Sequence, residues 1–199
     1  HLKELEYAKY HCEKLNIEHQ TADLTGITHL LGKESVLINK SIEVPDGHYE
    51  ELVMKKTVVP NRNMLMLAVA TSYAISEKFD GIVYGAHAGD HAIYPDCRKE
   101  FTDALAKAIL LCDWHKVELH RPFIKKTKAD IARTGKYLDV DFTKTWSCYK
   151  GEEKQCGQCA TCIERREAFH LSEMEDHTEY KDNAPTIEDL VKVNFKIND

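Results

Sequence analysis

Gly81-Ile82-Val83-Tyr84-Gly85 is a short apolar run held between glycines. An apolar stretch of that kind, bounded by turn residues, reads as a core strand. It leads directly into a polar loop, Ala86-His87-Ala88-Gly89-Asp90-His91-Ala92-Ile93-Tyr94-Pro95-Asp96-Cys97-Arg98. Beyond the loop, Phe101, Leu105, Ala108, Ile109 and Cys112 recur at helical spacing and predict an amphipathic helix. Residues 117–123 read as a second strand. Thr127 and Asp130 form a capping-box pattern, with Asp in place of the usual Glu or Gln, and predict a helix running to Tyr137. Strands alternating with helices define an α/β class, a Rossmann-like parallel sheet flanked by helices.

Upstream of the run, Asn61 is the expected N-cap of a helix carrying Met64 to Ile75, apolar on nearly all sides and therefore expected to be buried. Residues 26–57 show no sustained period and contain the turn signal Pro45-Asp46-Gly47. Long excursions of this kind are often functional. Leu2, Leu5, Ala8, Cys12 and Leu15 have helical spacing, and residues 17–23 suggest a short strand. The tail from 172 onward is polar, with Ile187, Leu190, Val191 and Phe195 spaced for one more docked helix. No internal repeat is present.

Composition narrows the class. The 43% hydrophobic and 30% charged residues are ordinary for a globular protein. No apolar run reaches the roughly 18 residues that span a bilayer, and residues 1–15 are amphipathic rather than signal-like. The expectation is a cytoplasmic protein with no membrane partner. A net charge of -6, with acid gathered near the C-terminus, argues against direct nucleic-acid binding. It leaves room for a nucleobase-sized substrate.

Seven cysteines are present, and Cys148, Cys156, Cys159 and Cys162 crowd into fifteen residues. C-x-x-C turns both sulfurs toward one point, and four thiolates complete the tetrahedral shell of zinc with no open position. The cluster reads as one structural Zn2+ per chain. An iron–sulfur cluster is the main rival, since the same spacing occurs in ferredoxins. Unligated or redox cysteines are the least favoured reading. Arg165 and Arg166 are placed to offset the site's negative charge. The division expected is residues 1–140 as an α/β domain, 141–170 as a zinc-binding segment packed on it, and 171–199 as a polar tail.

The loop after the first strand is the other candidate site, because ligands of open α/β sheets bind beyond the carboxyl ends of strands. Gly85 and Gly89 permit close approach of a ligand. Asp90 and Asp96 can accept paired hydrogen bonds from a guanine-like edge, Tyr94 can stack on a flat ring, and Arg98 can bind an anion bidentately. The plain alternative is a surface loop whose acids cap turns. Asn61-Arg62-Asn63 opens a helix whose N-terminus can bind phosphate, or is simply a cap. Lys128 sits in a helix's first turn, where a cation opposes the dipole; a phosphate ligand would account for it, and so would solvation.

Val59-Pro60-Asn61-Arg62-Asn63, Gly85-Ala86-His87-Ala88-Gly89-Asp90, Tyr94-Pro95-Asp96-Cys97-Arg98-Lys99-Glu100-Phe101, Thr145-Trp146-Ser147-Cys148-Tyr149 and the C-x-x-C-x-x-C run occur in that order. Together they resemble the 7-cyano-7-deazaguanine synthase (QueC) family. The resemblance implies an adenine nucleotide α-hydrolase-like (PP-loop ATPase) fold with a zinc site. It implies ATP, with Mg2+, as co-substrate, and ammonia and 7-carboxy-7-deazaguanine as partners, the product being 7-cyano-7-deazaguanine (preQ0). His87 joins the substrate-binding set by this resemblance, and a homodimer is implied. The family's phosphate loop, Ser-Gly-Gly-x-Asp-Ser, is not among these 199 residues. His1 resembles the histidine that follows that loop and its helix, so the loop and the first strand are expected to precede it. Two other readings stay open: a relative that joins a deazaguanine carboxylate to another amine, and a non-catalytic binding module.

Overall fold

The computed structural model describes residues 2–31, 34–39, 41–151 and 153–197; His1 lies outside them. In chain order the elements are α1 (Leu2–Lys14), α2 (Arg62–Ser76), β1 (Gly81–Val83), α3 (Lys99–Leu111), β2 (Glu118–His120), α4 (Lys128–Tyr137), α5 (Ala160–Leu171) and α6 (Ile187–Lys192), with short 3-10 turns between them. No helix among the described residues is long and apolar enough to cross a membrane.

β1 and β2 pair in parallel, with Gly81 opposite Glu118, Ile82 opposite Leu119 and Val83 opposite His120. The ladder continues by one bond at each end, Glu118 N–H to Asp80 O at 2.9 Å and Tyr84 N–H to His120 O at 2.8 Å. Parallel neighbours require a crossover, and α3 lies within it. Leu67 and Ala74 of α2 and Ile109 of α3 pack with Val117 and Leu119, while Ile82, Tyr84 and Leu105 complete the cluster. The second strand is shorter than its sequence suggests. After His120 the chain turns, with Lys126 N–H bonding Phe123 O at 2.8 Å, and this turn delivers the cap of α4. That cap is the expected box. Thr127 Oγ1 accepts from Asp130 N–H at 3.1 Å, and Asp130 Oδ2 accepts from Thr127 N–H at 2.9 Å.

Three expectations are corrected. Helix α2 is not buried all round: Leu67, Thr71 and Ala74 are buried, whereas Met64, Met66 and Tyr73 are exposed. The buried side is the one that faces the strand pair and α3. Residues 17–23 form no strand. Asn61 precedes α2, yet its side chain makes no capping bond, and its φ of 58° places it in the left-handed region. Asp96 instead accepts from Asn63 N–H at 3.3 Å.

The excursion at 26–57 is irregular but packed. Met54 and Thr57 are fully buried, and Asp46 forms an isolated antiparallel bridge with Cys159. Helix α1 buries no side chain. It leans on the 141–146 segment, through His11 Nε2 to Lys144 O at 2.9 Å. Helix α5 is buried on most sides, from Ala160 to Phe169. It packs along α4, and Leu190 and Phe195 of the tail close over Ile163.

Candidate functional site

Cys148, Cys156, Cys159 and Cys162 converge into one buried cluster whose sulfurs all lie within 4.8 Å of one another. Cys156 Sγ and Cys162 Sγ are 3.9 Å apart, as are Cys148 Sγ and Cys159 Sγ. A tetrahedron with metal–sulfur bonds of about 2.3 Å has edges of about 3.8 Å, close to these two spacings, so four thiolates here have the donor chemistry and the approximate spacing of a zinc shell. Backbone N–H groups surround the sulfurs. Cys148 Sγ accepts from Gly151 at 2.9 Å and Cys156 at 3.2 Å, and Cys156 Sγ accepts from Cys159 at 3.3 Å. Such bonds spread the negative charge of thiolates. Gly157 lies between ligands at φ +77°, and a Cβ there would meet the Cβ of Ala184 at 2.5 Å, so the turn requires glycine. Arg166 donates to Gly157 O at 3.3 Å and to Pro185 O at 2.7 Å. Arg165 donates to Thr145 Oγ1 at 2.7 Å and to Phe142 O at 3.0 Å. Both arginines fasten the thiolate segment to its neighbours.

The second site lies between the loop after β1 and the first turns of α4 and α5. A cavity of about 120 Å³ is lined by Tyr49, Met54, Gly89, Asp90, Ile93, Tyr94, Lys128, Tyr149, Thr161 and Glu164. That is far below the roughly 300–1,000 Å³ of a drug-sized site. Its polar wall is a linked set. Lys128 Nζ donates to Glu164 Oε2 at 2.8 Å and lies 3.3 Å from His87 Nε2. His87 Nδ1 accepts from Gly89 N–H at 3.1 Å, and Asp90 Oδ2 accepts from His87 N–H at 3.3 Å. The loop therefore begins with a reciprocal cap centred on His87.

Charge states follow from this packing. Burial, reinforced by the Lys128 charge, holds the His87 imidazolium below its ordinary range despite Asp90 and Glu164. The ring is neutral at physiological pH. Burial pulls the Lys128 ammonium down, but the charge and hydrogen bond of Glu164 outweigh it, and its pKa is raised. Burial, together with Tyr94, pushes the Tyr149 phenol well above its usual value. Tyr94 Oη lies 2.7 Å from Thr57 Oγ1, tying the cavity to the excursion.

His87, Asp90, Tyr94 and Lys128 are thus brought together. The remaining candidates are not in that wall. Gly85 follows β1, with open space where a Cβ would stand. Asp96 closes the N-terminus of α2, and Asn63 Nδ2 donates to Cys97 Sγ at 3.4 Å. Burial raises the Cys97 thiol to about 12. Arg98 Nε donates to His91 O at 2.9 Å. Arg62 and Asn61 stand at the start of α2, and Arg62 also lines a separate apolar groove with Leu5, Leu24, Leu65 and Met66. Glu164, Tyr149, Tyr49 and Thr161 escaped sequence reasoning as cavity residues. Tyr149 closes a quoted motif and could have been found; Glu164, one acid inside a helix, carried no signal.

The parallel α/β layer thus carries a small cavity beyond its first strand and, beside it, a buried four-cysteine cluster that could hold a metal ion. The model for queuosine biosynthesis protein QueC matches residues 1–173, and the chain belongs to the QueC family. The fold is accordingly that family's PP-loop ATPase fold. The chain is 52% identical over 181 residues to a 7-cyano-7-deazaguanine synthase of Caldicellulosiruptor saccharolyticus, covering 91% of this chain and 80% of that one. It is 48% identical over 181 residues to a 7-cyano-7-deazaguanine synthase of Hahella chejuensis, covering 91% and 78%. The same name is borne by a relative from Methanoregula boonei, 48% identical over 91% of this chain and 82% of its own.

Proposed function

We propose that this chain is a carbon–nitrogen ligase that makes 7-cyano-7-deazaguanine from 7-carboxy-7-deazaguanine and ammonia, driven by ATP with Mg2+, in the cytoplasm. The observation that carries the reading is the 52% identity over 91% of the chain to a 7-cyano-7-deazaguanine synthase. The small cavity beyond β1 supports it.

The chemistry has a simple logic. A carboxylate is a poor electrophile at neutral pH. Adenylation expels pyrophosphate and makes the carboxyl oxygen part of a good leaving group. Ammonia then displaces AMP to give the amide. A second adenylation, on the amide oxygen, lets that oxygen leave with AMP as two N–H protons are lost, and the nitrile remains. The protein's part is to bind, orient and exclude water. Tyr94 and Tyr149 supply flat walls, and Lys128 supplies a fixed positive charge. Asp90 and His87 hold the loop in shape. Gly85, Asp96 and Arg98 belong to the proposed substrate side and Asn61, Arg62 and Asn63 to the nucleotide side, while Lys128 lines the cavity itself. An anion at the start of α2 would have to displace the Asp96 carboxylate, which marks that loop as a place where binding reshapes contacts. The four cysteines hold one zinc, which supplies folding energy and has no open position for chemistry. A homodimer is part of this reading, supported by the open apolar groove between α2 and α3 that Met64, Ala68, Ile75 and Leu105 line.

The test is turnover. The native gene product, given ATP, ammonia and 7-carboxy-7-deazaguanine, should release the amide and then the nitrile, each identified by mass. A substituted amide with some other amine, or no base-derived product at all, would overturn the proposal.

A further inference from the structure

Glu164 projects from α5, with its side chain only 7% exposed. Burying a carboxylate costs several kcal/mol unless hydrogen bonds replace its water. An ionised carboxylate has about four lone-pair positions. Among the described residues, one hydrogen bond reaches it, from Lys128 Nζ to Oε2 at 2.8 Å. His87 Nε2 stands 3.7 Å from Oε1, outside hydrogen-bond range. Glu164 lines the cavity, together with Lys128, Tyr94 and Tyr149. The two loop acids differ in this respect. Asp90 Oδ2 closes the turn at His87, and Asp96 Oδ2 closes the start of α2.

The side-by-side pair of Lys128 and Glu164 presents one donor and then two acceptors. A deazaguanine presents the complement along one edge: the O6 acceptor, then the N1–H and 2-amino donors. The N1–C2–N2 edge is an acylated guanidine, and a carboxylate pairs with two parallel N–H donors as it does with arginine. We propose that Glu164 is the residue that reads the base, accepting from N1–H and the 2-amino group while Lys128 donates to O6. This assignment rests on the ligase reading for the identity of the base.

The thiolate centre then has a reason for its place. Cys159 caps α5 and Cys162 lies in its first turn, so the metal ligands set the rotation of the helix that carries Glu164. Phe169, farther along, packs its ring against Phe142 at 5.1 Å and holds the other end.

The experiment compares two bases by calorimetric binding: 7-carboxy-7-deazaguanine and its counterpart lacking the 2-amino group. The wild-type protein should prefer the first by about tenfold to a hundredfold, the worth of one hydrogen bond to a charged acceptor. Glu164→Gln should weaken binding of the first by a similar factor and shrink the preference to within about threefold, with zinc content unchanged. A Glu164→Gln protein that weakens both bases equally shows a structural role and overturns the proposal. If that variant does not fold, the wild-type comparison decides alone: equal binding of both bases overturns the assignment. The two readings separate cleanly. Nitrile formation without a 2-amino preference removes Glu164 as the reader and leaves the ligase. A 2-amino preference without nitrile formation does the reverse.

Discussion

Replacing Cys159 by Ser perturbs the four-cysteine cluster at the residue that also caps α5. Cys159 is fully buried, caps α5, bridges to Asp46 and lies 3.9 Å from the Cys148 sulfur. Two of the sulfur–sulfur spacings, each 3.9 Å, are close to the edge of a zinc tetrahedron. Structural zinc sites of this kind contribute about 10–16 kcal/mol at neutral pH. One ligand of four carries roughly a quarter of that, about 3–4 kcal/mol, because a neutral serine hydroxyl is a poor donor to zinc. The loss corresponds to a zinc Kd about a hundred- to a thousandfold weaker. Competition with a chromophoric chelator measures it directly, and elemental analysis gives the stoichiometry. The wild-type chain should hold one zinc against a chelator that strips Cys159→Ser, and the variant should melt at a lower temperature. Cys112→Ser, at an exposed position outside the cluster, serves as the control. Unchanged zinc affinity in Cys159→Ser would refute the ligand assignment. Iron with a visible charge-transfer band in the wild-type protein would refute the choice of metal.

Two further outcomes test the frame around the site. Leu190→Ala removes a fully buried side chain packed with Ile163 and Phe195. The cost should be about 2–5 kcal/mol, or a melting temperature roughly 5–20 °C lower; an unchanged melt would mean that α6 does not close over α5. Asp103 is held by hydrogen bonds from Lys99 and Arg121, which lower its carboxyl to about 2. Its folded-state pKa is depressed, so its contribution is present above the ordinary carboxylate value near 3.8 and is lost as pH falls toward 2. Asp103→Asn should therefore melt below wild type at pH 7 and converge with it near pH 2. A gap that persists at pH 2 would show that the carboxylate's charge is not what α3 and Arg121 depend on.

Local patterns carried much of the architecture. The run at 81–85, the helical spacing after Phe101 and the Thr127–Asp130 cap each encode their own geometry through neighbouring residues. The four cysteines are equally local, since three lie within one C-x-x-C-x-x-C run and their burial follows from ligand spacing. The errors lie where a second element was needed. Residues 17–23 have a weak strand pattern and form no strand. Helix α2 is apolar nearly all round, but a composition cannot say which faces find a partner. Asn61 has the right residue type for a cap, yet the free N–H of Asn63 is met by Asp96, thirty-three positions away.

The sequence by itself therefore determined the α/β class, the four-cysteine cluster and the family, because each rests on short-range order or on motifs carried along the chain. Tertiary structure alone decided which polar side chains share a wall. His87, Lys128 and Glu164 come from three distant segments, and only the packing of α4 on α5 beside the β1 loop brings them within hydrogen-bond and ion-pair distances. Glu164 looked like any helix-surface acid because its burial belongs to helix packing and not to its neighbours in sequence. A charge becomes informative once solvent is removed from it, and that removal is a property of the fold.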